Sequence, residues 1–181
     1  MHFFKKRILI LLPCLLATFL PVFGRGEENS ILHIGSNIPP FSITLNDGRT
    51  IDTDTLKGKP AIIVFFHTGC IDCQKELPLL QKAYDQWNSQ IQLICISRAE
   101  NKESIEQFWN RKKLTIPYSA QPDRHIYHLF AHKGIPKIYI TDHTGKVRAF
   151  FSEKVSKRKL LKAIQATIEF SKQEQNKNNQ L

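Results

Sequence analysis

Apolar residues along this chain fall into short blocks separated by polar, helix-spaced stretches. The densest block, residues 61–66, is continuous rather than alternating, the pattern of a strand buried on both faces. The period then changes. Leu77, Leu80 and Tyr84 recur at steps of three and four, with Gln74, Lys75, Lys82 and Asp85 between them, so a helix is predicted to about Trp87, bent at Pro78. Residues 91–96 predict the next parallel strand, and 101–113 a helix carrying Ile105, Phe108, Trp109 and Lys112 around it. A short helix over 123–130, a strand at 137–140, a turn at Asp142-His143-Thr144-Gly145 and an antiparallel strand at 146–151 follow. Residues 156–170 close the pattern as an amphipathic helix with Leu160, Leu161, Ile164 and Ile168 on one side. Upstream, 41–45 and 49–51 flank Asn46-Asp47-Gly48, a strong hairpin signal. This order calls for an α/β fold: a mostly parallel sheet covered on both faces.

The ends of the chain read differently. Lys5, Lys6 and Arg7 precede an apolar run over 8–23, the layout of a secretory signal peptide cut after Gly24 or nearby. The run is short for a spanning helix, which needs about 20 apolar residues, and an uncleaved membrane anchor is the alternative. The expected organisation is therefore a leader over 1–24, a linker over 25–35, one domain over 36–171 and a disordered polar tail over 172–181.

The formal net charge is +10, and loss of Lys5, Lys6 and Arg7 with the leader leaves +7. The local basic groups, Arg111-Lys112-Lys113 and Lys157-Arg158-Lys159, are not interleaved with aromatic residues, and no DNA-binding motif occurs. A solvated basic surface is the simpler reading, and a nucleic-acid partner is not expected.

The chemistry concentrates where the buried run meets the helix, at Cys70 and Cys73. Free backbone N–H groups and the positive end of the helix dipole lie there, and both favour a thiolate. Two intervening residues let the sulfurs close a disulfide and reopen it by exchange. A c-type haem site would need His after the second cysteine, where Gln74 stands. A structural zinc site needs about four ligands, and the seven histidines are scattered, with only the loose His128/His132 pair at motif spacing. Cu(I) held by Cys70, Cys73 and a nearby His such as His67 is the chemically reasonable alternative. Of the four cysteines, Cys14 leaves with the leader, and Cys95, within an apolar run, reads as an inert buried thiol. A peroxidase reading lacks the Pro and Thr arrangement around a peroxidatic cysteine. A non-catalytic interaction module is at odds with the intact Cys70/Cys73 pair.

Gly58-Lys59, the apolar strand, Cys70, Cys73, Lys75, Glu76 and Pro78 together resemble the active-site segment of the thioredoxin-like TlpA/ResA-type exported thiol–disulfide oxidoreductases. The likeness runs from about Gly35 to Ala166. It implies a thioredoxin-like α/β fold: a central mixed sheet flanked by helices, with an N-terminal β-hairpin extension. It implies no cofactor beyond the redox-active Cys70–Cys73 pair. Cys70 is then the attacking thiolate, Cys73 the resolving thiol and Glu76 an assisting group in proton transfer. Ile135 and Pro136 become a cis-proline substrate contact, with Gly69, Ile71 and Asp72 beside it. Implied partners are disulfide-containing exported proteins, apocytochrome c among them, and a membrane thiol transporter as electron donor; the implied location is periplasmic or otherwise exported. Three positions depart from the pattern. Gly69 replaces the usual Trp, Ile71-Asp72 lacks the common Pro, and Val64 stands where thioredoxins proper carry a buried Asp. The negative charge of Asp72 opposes the dipole's effect on Cys70, so a reductant is expected rather than a strong oxidant.

Overall fold

The computed structural model describes residues 29–178; the expected leader lies outside them. Its centre is β3 (Ala61–Phe66), whose six side chains are all buried. It earns that place because it carries no polar group to hydrate on either face. β3 pairs in parallel with β4 (Gln92–Ser97), and β4 with the two-residue β5 (Tyr118–Ser119). On its other side β3 pairs antiparallel with β6 (Lys137–Thr141), which in turn pairs antiparallel with β7 (Val147–Ser152). The sheet is mixed, in the order β5-β4-β3-β6-β7. β5 has no sequence signal of its own; a two-residue strand is too short to show a period.

Alternation along β3 divides the core. Ile62, Val64 and Phe66 pack with Cys73, Leu77 and Leu80 of α1 (Ile71–Trp87), with Ile105 and Phe108 of α2 (Lys102–Lys112), and with Leu160, Ile164 and Ile168 of the C-terminal helix. Ala61, Ile63 and Phe65 face the other way, onto Ile126 and Tyr127 of α3 (His125–His128) and onto Phe41, Ile43 and Leu45 of the N-terminal hairpin. That hairpin is β1 (Ser42–Thr44) and β2 (Thr50–Asp52), paired antiparallel. Its turn closes through the Leu45 N–H to Arg49 carbonyl bond of 2.8 Å and the Gly48 N–H to Leu45 carbonyl bond of 3.0 Å. Gly48 has φ +86, and a Cβ built there would touch nothing within 4 Å. Gly48→Ala is therefore expected to cost about 1–2 kcal/mol from backbone strain alone, read as a lower chemical-denaturation midpoint with an unchanged slope.

The structure departs from the expected boundaries at both ends. The final helix, α4 (Lys157–Asn178), runs well past residue 171. Ser171 is buried, Lys172 Nζ donates to Gln90 Oε1 at 2.6 Å, and Gln175 Nε2 donates to the Gly58 carbonyl at 2.8 Å. Polar contacts hold the extra turns, and these leave no apolar period in the sequence. Residues 29–35 are also not a free linker. Ser30 forms an antiparallel bridge with Ala131, its hydroxyl meets the Tyr139 hydroxyl at 2.7 Å, and Leu32 is buried.

Candidate active site

β3 ends at Phe66, and residues 67–70 turn the chain into α1. Cys70 is the N-cap of that helix, with φ −83 and ψ 120, and its Sγ accepts the Cys73 N–H at 3.4 Å. A cysteine thus does what Ser or Asp does at an ordinary helix start. The N–H and the dipole end both stabilise negative charge on that sulfur. Cys70 is half-buried, Cys73 is fully buried one turn inward, and both thiols are free. Burial, then the contact with Cys70, pushes the Cys73 thiol upward, against smaller downward pulls from the His67 backbone and, last, from Arg98. Sulfur reactivity is divided accordingly: one half-exposed nucleophile, one sheltered thiol.

The second half of the chain delivers the other wall. The Ile135–Pro136 bond is cis, and the Cys70 thiol points to the Ile135 carbonyl at 3.6 Å. Tyr127 donates its hydroxyl to the Gly134 carbonyl at 2.8 Å, tying this loop to α3. His67, Gly69, Cys70, Arg98, Gly134 and Ile135 line an open groove of about 500 Å³. Ile71 is 69% exposed, an apolar side chain in water at the helix start. Asp72 is half-exposed and lies 3.6 Å from Lys75 Nζ, so its charge is shared with an ammonium rather than aimed at Cys70 alone.

Glu76 is the buried carboxyl of the site. It is 5% exposed; Oε1 accepts the Val155 N–H at 3.2 Å, and Oε2 has no hydrogen-bond partner among the described residues. Burial raises its pKa, and the Asp72 charge adds to this, while the Val155 bond and Lys154 oppose it. Such a group holds a proton more readily than a surface carboxylate does.

Several neighbours carried no signal in the sequence. Glu100 is buried and reaches the active-site turn. Its Oε2 accepts the Thr68 N–H at 2.8 Å, its Oε1 accepts the Thr68 hydroxyl, and Oε2 lies 3.8 Å from His67 Nδ1. His67 Nδ1 also accepts the Gly69 N–H at 3.0 Å. A Cβ on Gly69 would stand 3.3 Å from that nitrogen, so a side chain there would require the folded-back imidazole to shift. Gln74 Nε2 donates to the Thr68 carbonyl at 2.7 Å. The turn carrying Cys70 is therefore held by side chains from within the turn itself, from α1 and from the loop that follows β4. Cys95 is buried in the sheet, opposite Val64, and burial raises its pKa, as suits an inert thiol. Among the described residues no group of three or more His, Cys, Asp or Glu is placed to hold a metal ion.

Fold and site together define a thioredoxin-like thiol–disulfide oxidoreductase. The chain belongs to the AhpC/TSA family, whose model matches residues 34–150. Among curated relatives, the thiol-disulfide oxidoreductase ResA of Bacillus subtilis is 26% identical over 147 residues, covering 80% of this chain and 81% of its own. ResA of Geobacillus thermodenitrificans is 23% identical over 162 residues, 88% of this chain and 93% of the relative. A candidate protein disulfide isomerase from Bacteroides thetaiotaomicron superposes with a TM-score of 0.72 at 27% identity, over 78% of this chain and 93% of that structure. A candidate thiol:disulfide interchange protein DsbE from Chlorobium tepidum shares the fold, with a TM-score of 0.70 at 18% identity over 76% and 99% of the two chains. No helix among the described residues is long and apolar enough to cross a membrane.

Proposed function

We propose that this protein is an exported reductase of protein disulfides. The observation that carries the reading is the division between a half-exposed Cys70 capping α1 and a fully buried Cys73 whose N–H points at the Cys70 sulfur. Cys70 thiolate attacks one sulfur of a substrate disulfide, forming the mixed disulfide and releasing the other sulfur as thiolate. Cys73 loses its proton and attacks Cys70, which forms the Cys70–Cys73 disulfide and frees the second substrate thiol. Glu76, buried on the same helix, takes up or returns that proton. The Ile135 backbone and Pro136 pair with the substrate segment, while Gly69, Ile71 and Asp72 form the exposed rim it crosses.

The direction proposed rests on Asp72, whose negative charge at the start of α1 opposes the helix dipole that would otherwise favour the reduced, anionic form. Export rests on the basic-then-apolar start of the sequence. Exported disulfide proteins, including apocytochrome c, are the substrates proposed, with a membrane thiol transporter supplying electrons.

Reduction of insulin disulfides under dithiothreitol, with and without a Cu(I) chelator, tests the reading alongside a redox titration. Turnover indifferent to chelation and a potential well below about −120 mV are expected. A potential near that value would reverse the proposed direction, and loss of turnover on chelation would assign the cysteines to metal.

A further inference from the structure

Arg98 stands in the groove beside Cys70, and apart from a weak electrostatic pull on the buried Cys73 thiol the disulfide exchange described above gives it no role. Its position is built rather than accidental. The parallel register of β3 and β4 pairs Phe66 with Ser97, and the Arg98 N–H extends that ladder to the Phe66 carbonyl at 2.8 Å. Arg98 is thereby fixed one residue past the strand, level with the start of the active-site turn. The next residue, Ala99, takes a left-handed φ of 61. A non-glycine residue there costs about 1 kcal/mol. The strained step directs Glu100 back to Thr68 and leaves Arg98 facing the groove.

The guanidinium is held from below and open in front. It lies over the Tyr127 ring at 5.5 Å, and Tyr127 is bonded to Gly134, which precedes the cis-proline pair. Arg98 therefore rests on the same support as the Ile135 backbone. Its Nε is buried without a hydrogen-bond partner, and among the described residues no ion pair includes it. The nearby acids are engaged elsewhere: Glu100 with Thr68 and His67, Asp72 with Lys75. A planar cation that touches the Tyr127 side chain, takes part in no ion pair among the described residues and lines the groove beside a reactive sulfur matches one ligand chemistry best. A carboxylate can take two of its N–H groups at once.

We propose that Arg98 is a specificity-determining residue that binds an acidic side chain flanking the target cysteine of the substrate. The inference rests on the dithiol-exchange reading. It adds that this enzyme selects disulfides in acidic sequence surroundings, with the carboxylate seated on Arg98 while the neighbouring sulfur meets Cys70. Mixed-disulfide formation is then faster for acidic than for neutral partners, and salt weakens the preference.

Three synthetic disulfide peptides, identical except for Asp, Asn or Lys on both sides of the cysteine, provide the test. The wild-type protein is expected to reduce the Asp peptide about tenfold more efficiently in kcat/KM than the Asn peptide, with the Lys peptide slowest. The Asp/Asn ratio should shrink at high salt. In Arg98→Gln the ratio should fall to about one, with the loss carried by the Asp peptide; Arg98→Lys should keep part of the preference. Equal wild-type rates on Asp and Asn peptides would overturn the proposal, and that comparison needs no variant to fold. An equal slowing of all three peptides by Arg98→Gln would also overturn it, since the guanidinium would then be acting on the sulfurs or on a peptide carbonyl. Failure of the wild type to reduce any of the three peptides would overturn both this proposal and the exchange reading beneath it.

Discussion

Cys73→Ala protein accumulates as a covalent adduct with its substrates, one per molecule, and turns over no further. Cys70, half-exposed at the helix start, still attacks and still releases the first substrate thiol. Nothing buried beneath it then displaces the second, because Cys95, the remaining described cysteine, is fully buried in β4. Cys70→Ala gives the opposite result: no adduct forms, and insulin reduction falls to the uncatalysed rate. Non-reducing electrophoresis with mass spectrometry reads both, and the trapped species identify the physiological substrates. The assignment of roles would be reversed if Cys70→Ala were the variant that trapped. The Cys73→Ala cavity is small, on the order of one methyl group and about 1 kcal/mol, so a folded protein is expected in both cases.

Glu76→Gln should slow resolution of the mixed disulfide by about 10²-fold, the lower end for proton transfer by a positioned side chain, with the initial attack by Cys70 little changed. Stopped-flow mixing of Cys70-linked mixed disulfide separates the two steps. The same substitution has a stability signature whose sign is set by burial. The folded state holds the Glu76 proton to higher pH than the unfolded chain does. At pH below the ordinary carboxyl value of 4.5 the group is neutral in both states and costs nothing. As pH rises through that value the unfolded chain ionises first, so the wild-type protein loses stability until the folded carboxyl has also ionised. Glu76→Gln keeps the acceptor for the Val155 N–H and removes the charge, so it should be the more stable protein at pH 8 and lose that advantage near pH 4. Denaturant midpoints at the two pH values check it. A variant with unchanged resolution kinetics and no pH-dependent stability difference would make Glu76 an ordinary packing residue.

Cys70 and Cys73 are local: an apolar run that must be a buried strand stops four residues before the first cysteine, and helical spacing starts beside it. Strand, turn and helix start then follow from neighbouring residues, and the chemistry of two cysteines at a helix mouth follows from them. The hairpin, the central strand and the closing helix were legible for the same reason. What failed was the placing of ends, since the last turns of α4 are held by Lys172 and Gln175 reaching Gln90 and Gly58. Contacts of that kind leave no periodic trace.

By itself, then, the order of residues determined the fold class and the pair of sulfurs, because each depends on apolar period and on spacing within about twenty residues. Tertiary structure alone decided what surrounds those sulfurs. The Val155 N–H reaches Glu76 from 79 residues away, and Glu100 reaches Thr68 from 32. Arg98 enters the groove because β4 lies in register beside β3. Polar side chains with one or two partners carry no repeat in sequence, and only the sheet that aligns their strands makes them neighbours.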